Sequence, residues 1–99
     1  MFSRKQLKEI ELGILAGVDV SIYAKPKFSW GQMKQIRRGL EKGLNVSVYA
    51  KPEFSWRQMQ EIIWGLAGGL DISKYAKPKF SDRKMWKIRS KLLEEKNNV

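Results

Sequence analysis

The chain has 99 residues, with twenty Lys and Arg against ten Asp and Glu for a net charge of +10, and it contains neither cysteine nor histidine. That composition excludes disulfides, thiolate nucleophiles, imidazole general bases and the usual zinc ligand sets, and the length allows one domain around one elongated core. There is no long uninterrupted apolar run and no leader pattern at Met1-Phe2-Ser3, so the expectation is a soluble, cytoplasmic protein without a membrane segment.

The chain is four copies of one phrase. FSWGQMKQIRRGLEKGLNVSVYAKPE, residues 28–53, is preceded by a copy at 2–27, followed by one at 54–79, and begun a last time at 80–99. The period is 26 residues without insertion. A fixed period in this range marks stacked supersecondary units, none of which can bury its apolar face alone. The predicted fold is all-α: a short α-solenoid of about four helix–turn–short-helix repeats in one domain, 1–99, with a longer last helix that caps it.

In the first copy Ser3 sits where an N-cap belongs, with Gln6 three residues on, and Phe2 stands just before the cap, placed to meet Leu7. This is the spacing of a capping box with a hydrophobic staple. Ser29, Ser55 and Ser81 repeat the cap, Gln32 and Gln58 repeat the box, and the pairs Phe28/Met33, Phe54/Met59 and Phe80/Met85 repeat the staple. Leu7, Ile10 and Ile14 then mark the buried stripe at helical spacing, and Gly17, with Val18 behind it, stops the helix. Gly43 and Gly69 do the same in the next two copies. Gly13, Gly39 and Gly65 lie inside the helices, where glycine costs about 1 kcal/mol relative to alanine. The expected compensation is close approach of the neighbouring unit's backbone on that flank; a tolerated copy of the same residue is the competing account.

After each stop comes a good cap, Asp19, Asn45 or Asp71, then a short Val-, Ile- and Tyr-containing segment closed by Lys-Pro. Proline bars its predecessor from helical geometry, which limits the second element to a turn or two. A short helix is favoured over the alternative of a short strand because of the cap. Lys25, Lys27, Lys51, Lys77 and Lys79 recur around the prolines at the entrance to the next helix.

The second copy carries Lys34, Arg37, Arg38 and Lys42 on its outer side with Trp30 at the edge. Basic residues beside an aromatic can hold phosphates and stack a base, although ordinary solvated surface explains them equally well. The third copy departs from the pattern: Ile63 and Trp64 replace Arg37 and Arg38, and both are expected to point outward as an apolar anchor, unless curvature of the stack covers them. Arg57 opens its helix. The last copy puts Lys84 in place of the box glutamine and Lys91 in place of the interior glycine. It runs to about Lys96 and displays Arg83, Lys87, Arg89 and Trp86, with Asn97, Asn98 and Val99 frayed. The few carboxylates, Glu9, Glu41 and Glu61 among them, are expected on exposed positions, and no phosphate loop or metal-ligand spacing occurs. The expectation is therefore a protein that is not an enzyme and uses no cofactor or metal.

The phrase F-S-x-x-Q-M-x-x-I-x-x-G-L-x-x-G-L-[DN]-V-S-x-Y-A-K-P resembles the short tandem repeats of uncharacterised proteins of Gram-positive bacteria and their phages and mobile elements. The resemblance covers nearly the whole chain and implies a helical repeat. It brings no assigned site residues, but small repeat proteins of such elements include inhibitors of host defence, anti-CRISPR proteins among them.

Two functions fit these residues. In the first, Lys34, Arg37, Arg38, Arg57, Arg83, Lys87 and Arg89 bind nucleic acid or a nucleoprotein, with Trp30, Trp64 and Trp86 stacking or anchoring. In the second, an Ile63/Trp64 patch captures a protein, an acidic surface or a second copy of the chain, and charge steers the encounter. A helix-turn-helix gene regulator is a weaker third reading, because the second element is too short and the arginine pair lies late in its helix.

Overall fold

In the computed structural model, which describes residues 1–98, the chain is helical throughout and the repeats stand side by side. Four α-helices, α1 (Arg4–Ala16), α2 (Trp30–Glu41), α3 (Trp56–Ala67) and α4 (Asp82–Asn97), alternate with single 3₁₀ turns at Val20–Ile22, Val46–Val48 and Ile72–Lys74. Each helix packs on the next, α1 on α2, α2 on α3 and α3 on α4, and each of the first three carries its own 3₁₀ turn. The molecule measures 46 × 26 × 17 Å. The second element of each repeat is thus helical, and a single turn long.

The local signals operate as the sequence predicts. Ser3, Ser29 and Ser55 accept the backbone N–H of Gln6, Gln32 and Gln58, whose side chains accept the cap's own N–H, completing three capping boxes. Ser81 accepts the N–H of Lys84. Gly17, Gly43 and Gly69 take left-handed geometry at φ 71 to 77°. The next N–H, from Val18, Leu44 or Leu70, closes back on the carbonyl of Gly13, Gly39 or Gly65, a Schellman stop in which only glycine is unstrained. Asp19, Asn45 and Asp71 each accept both the amide and the hydroxyl of the serine two residues on. Those bonds hold the Asp19 and Asp71 carboxyls below the usual carboxylate range.

The interior glycines serve a different contact from the one expected. No neighbouring backbone approaches them; instead the tyrosine of the same repeat lies across each. A Cβ on Gly39 would stand 2.0 Å from the Tyr49 hydroxyl and 2.8 Å from Val46 Cγ1, and Gly13 and Gly65 meet Tyr23 and Tyr75 in the same way. With the glycine absent a side chain, the fully buried tyrosine donates to a helix carbonyl: Tyr23 to Glu9 O, Tyr49 to Gln35 O and Tyr75 to Glu61 O, at 2.7 to 2.8 Å. The glycine is the floor on which the 3₁₀ turn is pinned to its helix.

Two sets of side-chain contacts recur between repeats. The capping-box glutamine reaches onward with its Nε2 to the carbonyl of the next repeat's Phe: Gln6 to Phe28, Gln32 to Phe54 and Gln58 to Phe80. A second pairing, 28 residues apart, spans each helix–helix seam. Glu9 meets Arg37 at 3.3 Å and Glu61 meets Arg89 at 2.8 Å. At the middle seam the corresponding residues are Gln35 and Ile63, both buried, and Gln35 Oε1 has no hydrogen-bond partner. Glu9 and Glu61 are therefore buried structural acids, in place of the exposed carboxylates expected.

The core runs the length of the array through Phe28, Met33, Ile36, Phe54, Met59, Ile62 and Met85, with the three tyrosines beneath. The first copy does not contribute the stripe that its sequence suggests. Leu7 is 53% and Ile14 62% exposed, and only Ile10 among the three is packed against the core; among the described residues nothing covers the other two. At the far end α4 extends through Asn97, one residue past the expected end. Lys96 donates to the carbonyl of Gly68, the residue that ends α3, at 2.6 Å. The expected fraying at Asn97 is replaced by helix, and Val99 lies outside the described residues.

Candidate nucleic-acid interface

The face of the helix layer turned away from the 3₁₀ turns is where the aromatic residues collect. The first, fifth and ninth residues of a helix fall within an arc of about 80°. Trp30 and Trp56 are the first residues of α2 and α3, Trp86 the fifth of α4 and Trp64 the ninth of α3. All four tryptophans of the chain lie on this arc, 41 to 51% exposed. Each exposed indole is in large part a surface, available to a planar partner.

Three of the rings are braced by cations from the array itself. Lys5 Nζ lies 4.9 Å from the Trp30 ring centre, Arg57 5.0 Å from Trp56 and Arg89 5.2 Å from Trp64. Trp56 also rests on Gly31, where a Cβ would come within 3.2 Å of its ring. Between Trp30 and Trp56 this leaves a groove of about 370 Å³ lined by Ser29, Trp30, Gly31, Lys34, Gln35 and Trp56. A shallower hollow lined by Ser81, Arg83, Lys84 and Lys87 opens at the start of α4.

The basic residues singled out in the sequence divide into two groups. Lys34 and Arg38 are half-buried and Arg57, Arg83 and Lys87 exposed, and among the described residues none of the five pairs with a carboxylate. Arg37 and Arg89 are structural. Arg37 bonds both Glu9 and Glu41, and its side chain is 13% exposed; Arg89 is held on Glu61 with 16% exposed. Burial works against the Arg37 charge, but the bond to Glu41 and the field of Glu9 and Glu41 outweigh it, and the guanidinium is held more firmly protonated than usual. Neither arginine is available to a phosphate in the way Lys34 or Arg57 is.

Ile63 also requires correction. It is 3% exposed and belongs to the core, at the position that corresponds to Arg37 in the repeat, while Trp64 beside it is 44% exposed. The outward apolar pair reduces to Trp64 alone. Conversely, Trp56 was not among the residues singled out, although the signal was present: it occupies in the third copy the position of Trp30 in the second. The proline-flanking lysines, exposed in every copy, line the edge formed by the helix N-termini, with Lys27, Lys77 and Lys79 over the Phe28 and Phe80 rings.

No group of three or more carboxylates that could hold a metal ion occurs among the described residues, and no helix of the described residues is long and apolar enough to cross a membrane. No family model, curated protein or solved structure matches this chain.

Proposed function

We propose that the protein is a non-catalytic binding protein whose helix-layer face engages nucleic acid, preferentially a single strand free in solution or exposed on a nucleoprotein. The observation that carries this reading is the placement of four half-exposed tryptophans on one face, with basic side chains near them that pair with no carboxylate among the described residues. Single-stranded nucleic acid is bound by this combination: aromatic rings stack on bases of any identity and cations follow the backbone. The groove between Trp30 and Trp56 gives a base a wall to stack on, with Lys34 beside it for the adjoining phosphate. A rigid duplex keeps its bases stacked on one another and has less to gain from the indoles.

Titration with a labelled single-stranded oligonucleotide tests this. Five phosphate contacts, from Lys34, Arg38, Arg57, Arg83 and Lys87, predict a slope of log K against log salt of about −3.5, and Trp56→Ala is expected to weaken binding by about 1–3 kcal/mol. Absence of binding at low salt, by filter retention and by tryptophan quenching, would overturn the reading.

A protein partner is the second reading, and the exposure of Trp64 and Trp86 favours it. Without Ile63 it rests on these two rings and on an acidic complement to the surrounding charge. It predicts that Trp64→Ala abolishes partner capture in extracts treated with nuclease.

A further inference from the structure

The two ends of the array are complementary to each other, and we infer that copies of this chain associate head to tail, the trailing side of α4 seating on the leading side of α1 of the next copy. Two contacts recur at the internal seams; a further one, Lys5 over Trp30 and Trp56 on Gly31, would bring Arg83 to Arg4 across the junction and opposes the association. In the first, the residue at the Gln6, Gln32 or Gln58 position donates to the next repeat's Phe carbonyl. On α4 this position is Lys84, also a donor, and the corresponding acceptor on a following copy is the carbonyl of Phe2.

In the second contact, Glu9 meets Arg37 and Glu61 meets Arg89, and the same spacing at the middle seam gives Gln35 and Ile63, both buried. Continuing the same spacing off each end leaves two unmatched halves. Lys87 is the member left on α4, and Glu11 is the member left on α1. They are of opposite sign, and the sign is reversed relative to the internal seams. An end of this chain therefore matches the opposite end of another copy better than it matches any seam within its own array.

Three further observations agree. Lys87 is exposed and the Glu11 side chain is 63% exposed, held only by a 3.4 Å contact to Lys8. The hollow lined by Ser81, Arg83, Lys84 and Lys87 lies where, along the rest of the array, the next repeat's first turn is seated. On the other partner, Leu7, Ile14 and Leu15 of α1 are 53 to 76% exposed, although the counterparts of the first two, Met33 and Leu40, are packed into the core. Docking of α4 would remove part of that surface from water. Because the two surfaces differ, the contact is heterologous and leads to chains of copies, not to a closed symmetric dimer. Copy-to-copy repulsion at +10, and the lack of a 3₁₀ turn after α4, make it weaker than an internal seam.

Sedimentation of the 99-residue chain, alongside E11K, K87E and the E11K/K87E double variant, tests the inference. The parent is expected to show a mass that grows through dimer and trimer between about 10 µM and about 1 mM. Each single reversal should weaken association about tenfold, and the double variant should recover to within about threefold of the parent. K87E is the discriminating arm: it lowers the net charge, so general repulsion predicts tighter association and the end-to-end pair predicts weaker. A parent that remains a single chain at about 1 mM, a mass that stops at two, K87E associating as well as the parent, or a double variant that fails to recover would each overturn the inference.

Discussion

At the residue scale, the unit that fixes the fold is a tyrosine lying on a glycine. Each pair joins a 3₁₀ turn to the helix before it, and the hydroxyl donates to a carbonyl already committed to the helix ladder. Gly39→Ala would force its Cβ to 2.0 Å from the Tyr49 hydroxyl. The 3₁₀ turn must then lift, and destabilisation of about 1–3 kcal/mol is expected in chemical denaturation. Tyr49→Phe keeps the shape and removes one buried bond, for which about 1 kcal/mol is expected. The same burial pushes the Tyr49 and Tyr75 hydroxyls well above the ordinary tyrosine range, and the Tyr23 hydroxyl upward, in each case chiefly through desolvation of the phenolate. The unfolded chain therefore releases these protons first as pH rises. Their contribution to stability is complete below the unfolded value near 10 and is lost above it. Loss of helical circular dichroism in alkali should coincide with tyrosine ionisation in one transition, and Tyr49→Phe should move that transition to higher pH relative to its own neutral-pH stability.

At the scale of the helix and its neighbours, what could be read in advance was whatever a helix decides for itself. Ser, Gln and Gly set the start and stop of the first three helices from residues within five positions of one another, and these appear as expected. What could not be read was which flanks of the helix become seams. A projection of α3 alone places Trp64 well away from Met59, Ile62 and Leu66, but Ile63, four residues after Met59, falls at the edge of that stripe, where its exposure depends on the neighbouring helix. The fold puts α2 on that flank, and Ile63 is buried there. Glu9, Glu61, Arg37 and Arg89 were misplaced for the same reason, since their burial depends on a partner 28 residues distant. Leu7 and Ile14 show the converse: a core pattern in the first copy that none of the described residues covers. Arg89→Met should leave Glu61 buried without its cation, at a cost of about 3 kcal/mol or more. Ile63→Arg should be comparably damaging opposite Gln35, and pairing it with Gln35→Glu should recover most of the loss. Thermal denaturation of the two single variants and the double variant measures that coupling.

At the scale of the whole molecule, the array places its packed residues and its exposed tryptophans on different sides. The tyrosines, the stapling phenylalanines and the seam pairs lie inward or between helices, while the tryptophans, Lys34 and Arg38 lie on the outward arc. Substitution of Lys34, Arg38 or Arg57 should consequently leave the melting temperature nearly unchanged and lower oligonucleotide affinity most at low salt. Arg37 and Arg89 substitutions should do the reverse. Calorimetry and binding titrations on the same variants distinguish the two sets.

The seams alternate, ionic, neutral, ionic, and that alternation has a consequence for how such a chain can lengthen. Duplicating residues 54–79 alone would set Glu61 against the isoleucine of its own copy, a buried acid facing a hydrocarbon. Duplicating 28–79 as a block would match every junction, Glu61 meeting a new arginine and Gln35 a new isoleucine. The sequence is written in single phrases, but physically its modules come as couples. An extended chain with one extra couple is expected to melt higher than the parent, and one with a single extra third-copy phrase lower, so growth by gene duplication is permitted in even steps and opposed in odd ones.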